Sequence, residues 1–113
     1  MFEVSPSGTE KVLYSFNPAN GKDGYYPNDG LVLGGGKLYG TTLYSGIHGA
    51  GTVFELKHSG IEVVLYSFNP SNGTDGYYPY GGLVLDKNRN LYGTTPFGGV
   101  YGEGYGTVYM VTP

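Results

Sequence analysis

Residues 12–33 read VLYSFNPANGKDGYYPNDGLVL, and residues 64–85 read VLYSFNPSNGTDGYYPYGGLVL. Eighteen of these 22 positions are identical at an offset of 52. A period of this length makes each unit one supersecondary motif, which buries its apolar faces only by packing on its neighbours. The match continues with small slips: KLYGTT at 37–42 pairs with NLYGTT at 90–95, and GTVFEL at 51–56 pairs with GTVYMV at 106–111. The slips fall in Gly-rich stretches, where insertion costs little. MFEV at 1–4 aligns with VFEL at 53–56, and SPSG at 5–8 with KHSG at 57–60. The single domain 1–113 thus divides into units of about 1–52 and 53–107, with a partial third-unit strand at 108–113. This phase fits a cut through a longer array, and equally a short protein whose copies assemble.

The period also decides how the composition is read. Gly and Pro number 22 and 7 of 113 residues, a level that without a period implies disorder. Net charge is −3, with 13% charged residues and no basic stretch, which excludes a phosphate-tracking nucleic-acid binder. The absence of Cys excludes disulfides and thiolate metal sites. No apolar run approaches the roughly 20 residues that span a bilayer. No charged-then-apolar segment opens the chain, so no signal peptide is expected in it.

Each unit holds four short apolar segments separated by turn signals. Strand A is GLVL (30–33, 82–85), strand B is LYGTT, strand C is GTVFEL or GTVYMV, and strand D is TEKVLYSF (9–16) or IEVVLYSF (61–68). Val, Leu, Tyr, Phe and Thr dominate, as a pleated surface prefers. No segment sustains a 3.6-residue period, so no helix is expected. Four antiparallel strands every 50 residues or so predict an all-β fold, a β-propeller of four-stranded antiparallel blades. The chain reads as C–D, then A–B–C–D, then A–B–C. Its blades would cover about 30–68 and 82–111, with the second blade's outer strand drawn from residues 9–16 of another copy or of the same ring.

The string LYSF…DG…P…GL…LYGTT…G-GTVF-L resembles the GloVer tandem repeat, twice over nearly the whole chain. The family's Gly-Asn before LYG stands here as Arg89–Asn90 in one unit and Gly36–Lys37 in the other, which alters one turn. The resemblance implies a bacterial, secreted or surface-anchored protein built from many such units. It carries no activity that transfers residue by residue.

Two blades cannot close a ring of the usual four to eight, and open stacks leave faces and edges exposed. The expected partner is therefore the chain itself, by cyclic symmetry, as a homotrimer of six blades or a homotetramer of eight. Residues 1–4 and 108–111 are both copies of strand C, so one should be displaced in a closed ring.

Propeller topology places the short A–B and C–D turns (34–37, 86–90, 5–8, 57–60) on one face. The long D–A loops (17–29, 69–81) and B–C loops (43–51, 96–106) fall on the other. That second face collects Tyr25, Tyr26, Tyr44, Tyr77, Tyr78, Tyr80, Phe97, Tyr101 and Tyr105. Tyrosine offers a flat apolar face and a polar tip, which suits sugar rings or protein surfaces. Repetition around a ring would make such a site multivalent. The candidate ligand-binding residues are Tyr25, Tyr44, Tyr77, Tyr80, Tyr101 and Tyr105, with His48, Asp23 and Asp75. Tyr26 and Tyr78 directly precede Pro and read as packing residues that fix the loops.

Asp23 and Asp75 recur in NGxDG. Asn and Asp oxygens suit calcium, but the spacing is not D-x-[DN]-x-[DN]-G. The segment reads instead as an Asx-turn followed by a Gly at positive φ, and no cofactor or metal is expected. Asp29 and Asp86 read as turn residues. His48 and His58 sit in different loops without a Ser or carboxylate at a suggestive spacing, which argues against a triad or a His metal site. A glycosidase-like carboxyl pair would have to be Asp23 with Asp75 or Glu103. Near-identical repeats do not easily make the one asymmetric site an enzyme needs. The expected function is non-catalytic binding of a carbohydrate or protein; the alternatives are a purely structural repeat and a loop-carboxylate hydrolase or lyase.

Overall fold

The computed structural model describes residues 1–102 and 104–113. Its strands are β1 (Phe2–Val4), β2 (Glu10–Val12), β3 (Gly24–Pro27), β4 (Val32–Gly34), β5 (Lys37–Ser45) and β6 (Thr52–Lys57). They continue with β7 (Glu62–Ser67), β8 (Gly76–Tyr77), β9 (Val84–Leu85), β10 (Leu91–Thr95), β11 (Phe97–Gly98) and β12 (Thr107–Val111). Two single 3-10 turns, Pro18–Asn20 and Pro70–Asn72, are the only helical segments among the described residues. The fold is all-β, and every pairing between these strands is antiparallel.

The first complete unit forms the sheet β4–β5–β6–β7, in the expected A–B–C–D order. The second forms β9–β10–β12 and has no strand outside β12 among the described residues. Its missing type of strand is β2, which pairs with β1 in a separate hairpin. Among the described residues of one chain the strands make four sheets and no closed ring.

The structure extends one expectation. Gly24–Pro27 and Gly76–Tyr77 lie in segments read as loop, yet they are strands. β3 pairs with the far end of β5 through Gly24↔Ser45, Tyr25↔Tyr44 and Pro27↔Thr42. β8 pairs with β11 through Tyr77↔Phe97 and Gly76↔Gly98. β5 serves two inner neighbours in turn, because it runs nine residues, past LYGTT to Ser45, and β4 occupies only its first three.

The core sits where the two sheets meet. Tyr39, Ala50, Val53, Phe68, Leu83 and Leu91 are buried together, with Tyr77, Tyr78, Leu85 and Tyr109 against them. Phe68, at the end of β7, meets Tyr109 of β12 edge-on at 5.0 Å between ring centres. Phe16 repeats that contact one unit earlier, meeting Phe54 of β6 at 5.3 Å. Each YSF segment thus caps the following sheet, and a lone unit would leave its phenyl ring in water.

The short turns differ as the sequences do. GGGK turns on Gly35 and Gly36, both at positive φ. DKNRN instead uses the Asp86 side chain, which accepts from the backbone N–H groups of Asn88 and Asn90 and from the Tyr92 hydroxyl. These donors, the Asn90 amide first, hold the Asp86 carboxyl below its usual range.

Candidate functional site

The NPxNGxDG segment is a clasp around one carboxyl, built alike in both units. The Asn20 side chain accepts from the backbone of Lys22 and Asp23, at 2.9 and 2.8 Å. Asp23 Oδ2 then accepts from the Tyr14 hydroxyl at 2.8 Å and the Asn17 amide at 2.7 Å. In the second unit Asn72 serves Thr74 and Asp75, and Asp75 Oδ2 accepts from Tyr66 at 2.6 Å and Asn69 at 2.9 Å. Burial, and then these hydrogen bonds, raise the Tyr14 hydroxyl well above its ordinary value and push Tyr66 up to about 12.

The expected Asx turn followed by a Gly at positive φ is present in NGxDG, at Asn20–Gly21 and Asn72–Gly73. Gly24 and Gly76 are glycine because of close approach. A Cβ on Gly24 would stand 1.8 Å from Thr42 Oγ1 and 2.8 Å from Thr52 Oγ1; on Gly76 it would stand 2.0 Å from Thr95 Oγ1 and 2.5 Å from Thr107 Oγ1. Each threonine pair is itself hydrogen-bonded at 2.7 Å. The recurrence of DG, LYGTT and GTV is therefore one packing motif spread over three segments.

Just beyond the clasp the tyrosines gather. Tyr25, Tyr26 and Tyr44 touch pairwise at 5.6–5.9 Å between ring centres. Tyr44 meets Tyr78 at 5.4 Å, which joins the two units. Tyr78 continues to Tyr77 and Phe97, and Tyr77 lies nearly parallel to Phe97, at 21° between ring planes. Two concavities open along this line. One of about 440 Å³ is lined by Leu43, Tyr44, Tyr78, Tyr80, Pro96 and Phe97; the other, about 470 Å³, by Tyr77, Tyr78, Phe97 and Gly104.

Of the expected residues, Tyr25, Tyr44, Tyr77 and Tyr80 come together here. Tyr101 and Tyr105 are exposed, at 86% and 78% of their surface. Tyr78 packs against the core as its place before Pro suggests, but Tyr26 is 63% exposed. Both take left-handed backbone, φ 63° and 57°, uncommon for a bulky residue. Asp75 lines separate small cavities with Tyr66 and Tyr77. Asp23 and His48 line another cavity, of about 670 Å³, away from the ring network.

That last cavity holds a residue the sequence did not single out. Glu62, on β7, enters it beside Asp23, where burial and the adjoining Asp23 carboxyl push Glu62 up to about 7. The expected carboxyl partners of Asp23 were Asp75 and Glu103. Asp75 is gripped by its own clasp, and Glu103 lies outside the described residues. The spacing of Asp23 and Glu62 spans a whole blade, so only the sheet's return path brings them together.

Among the described residues no group of three or more His, Asp or Glu is placed to hold a metal, and no helix is long and apolar enough to cross a membrane. No curated protein and no solved structure matches the chain. A family model does match, the Gloeobacter/Verrucomicrobia repeat, and its match runs over residues 1–113. With LYGTT, GTVF and the DG clasp explained as one packing motif, the chain belongs to the Gloeobacter/Verrucomicrobia repeat family.

Proposed function

We propose that this chain is a non-catalytic β-propeller module that self-associates and binds carbohydrate through its tyrosine-rich face. The observation that carries the binding reading is the continuous network of six rings, Tyr25, Tyr26, Tyr44, Tyr78, Tyr77 and Phe97, drawn from both units and flanked by two shallow concavities. Ring faces stack on the C–H surface of a sugar, and Tyr hydroxyls exchange hydrogen bonds with its hydroxyls. A protein ligand is the second reading, favoured by exposed Val100, Tyr101 and Tyr105 at the rim. The resemblance to secreted or surface-anchored repeat proteins supports a place outside the cell.

Self-association is supported by one residue in two settings. Val53 on β6 is fully buried, whereas its counterpart Val108 on β12 is 80% exposed. β6 is flanked by β7; a strand of the 9–16 type from a second copy would give β12 the same neighbour. Closure as a ring of three or four chains would then complete six or eight blades.

The binding test is a glycan array followed by calorimetry with Tyr44→Ala and Tyr80→Ala. Loss of binding of at least tenfold is expected for each. An array without a hit, or a hit that both variants retain, overturns the reading.

A further inference from the structure

Three buried oxygens in one cavity have no hydrogen-bond partner among the described residues: Asp23 Oδ1, Glu62 Oε2 and Ser67 Oγ. Their residues all line the cavity of about 670 Å³. Asp23 is 1% exposed, and its other oxygen is already held by Tyr14 and Asn17. Two of the three atoms are oxygens of neighbouring carboxyls, and the hydrogen bond open between those carboxyls needs a proton on one of them. With both ionised they are buried acceptors left without donors, which is costly.

Lys22, His48, Tyr14 and Tyr66 complete the titratable lining. The Tyr14 hydroxyl is committed to Asp23 Oδ2 and the Tyr66 hydroxyl to Asp75. The ion pairs among the described residues are Lys37 with Glu55 and His58 with Glu3, so Lys22 neutralises neither carboxyl.

We propose that Asp23, Glu62 and Ser67 form a divalent-cation site, with calcium as its occupant. An all-oxygen set selects a hard cation. Calcium accepts irregular geometry and fills the rest of its shell with water, for which this cavity has room. Two carboxyls and a hydroxyl are few ligands, so half-saturation belongs in the weak range, about 0.1–1 mM. The site stands apart from the tyrosine network and does not depend on the sugar-binding reading.

It is also confined to one place in the chain. The second unit repeats the clasp around Asp75, but the cavities that Asp75 lines hold no second carboxyl among the described residues. Glu10, the counterpart of Glu62 one unit earlier, is exposed on β2, so Glu10→Gln is the charge-matched control.

The test uses the full chain with terbium as the probe and calcium as the competitor. The chain has no Trp, so tyrosine is the sensitiser; Tyr14 and Tyr66 line the cavity, and the Glu62→Gln comparison assigns the emission to it. Sensitised terbium emission is expected, displaced by calcium in the millimolar range, weakened at least tenfold in Glu62→Gln and retained in Glu10→Gln. Glu62→Gln keeps the shape and supplies a donor to Asp23, so it stays folded where Asp23→Asn endangers the clasp. In parallel, calcium should raise the melting temperature of the parent chain and not that of Glu62→Gln. Absence of emission, emission unchanged by Glu62→Gln, or equal loss in Glu10→Gln would overturn the site.

Discussion

Gly24→Ala probes the packing motif that defines the repeat. Its Cβ would stand 1.8 Å from Thr42 Oγ1, 2.6 Å from Thr42 Cβ and 2.8 Å from Thr52 Oγ1. Ordinary contact begins near 3.5 Å, so β3 must retreat from β5 by more than a bond length. Neither threonine can turn away, because both are fully buried and bonded to each other. Retreat would break the Gly24↔Ser45 and Tyr25↔Tyr44 pairings and pull Asp23 from Tyr14. Overpacking of this kind costs about 3 kcal/mol. For a chain of this length that lowers the melting temperature by about 12 °C. Gly30→Ala is the control, since a Cβ there meets nothing within 4 Å and its φ is not positive. Thermal and urea denaturation of both variants decides the matter. If Gly24→Ala melts with Gly30→Ala, the glycine–threonine contact does not hold the unit together.

Other substitutions separate the remaining contributions. Tyr14→Phe removes a hydrogen bond to a buried carboxyl and should cost about 1.5 kcal/mol, while Tyr66→Phe, whose partner Asp75 is less buried, should cost about half as much in the same urea titration. Tyr109→Phe should stabilise by about 1 kcal/mol, because the hydroxyl is buried without a partner and burial already drives its ionisation to higher pH. Glu62 predicts the pH dependence of the metal-free protein in EDTA. Its folded carboxyl ionises near 7 against 4.5 when free, so its contribution is complete below pH 4.5 and is lost as pH rises to about 7. Discounted for its partial exposure, the loss is about 1 kcal/mol between urea titrations at pH 5 and pH 8, and Glu62→Gln should abolish it.

The architecture was legible because period and strand chemistry agree. GLVL, LYGTT, GTVFEL and IEVVLYSF carry no helical period, and each sits between turn residues that can only punctuate strands. The tyrosine-rich face was half legible. Tyr25, Tyr44 and Tyr77 announce themselves by type and repetition, but which rings touch depends on β3 pairing with the end of β5, and DGYYP contains Pro and Gly that hide a strand. The exposure of Tyr26 was hidden because a residue before Pro reads as structural, while the left-handed backbone that sets its direction has no sequence mark except in glycine. Glu62 was illegible for another reason. It is one residue in an ordinary strand, and its neighbour Asp23 comes from the opposite end of the unit.

The edges of the two sheets make one further prediction, and the hairpin at the N-terminus supplies its logic. β1 pairs with β2 as Phe2↔Val12, Glu3↔Lys11 and Val4↔Glu10. Shifted by 52, these are the pairs Phe54↔Val64, Glu55↔Val63 and Leu56↔Glu62 of β6 with β7. β2 is thus already held in the register of an outer strand, and β1 occupies the place of a C strand. β12 is a C strand with no strand on its outer flank among the described residues, and it is five residues long against three for β1. Exchange of β1 for the β12 of a second copy would extend the ladder and bury Val108, a gain of about 2 kcal/mol for the side chain alone. Glu3→Pro removes a ladder donor from β1 and weakens its hold on β2. Association should then begin at lower concentration, read as mass by light scattering. Val108→Lys should reverse the effect, because a charge would have to enter the space that Val53 fills in the first sheet. A Glu3→Pro chain that stays monomeric at every concentration would remove strand exchange from the account of how these units assemble.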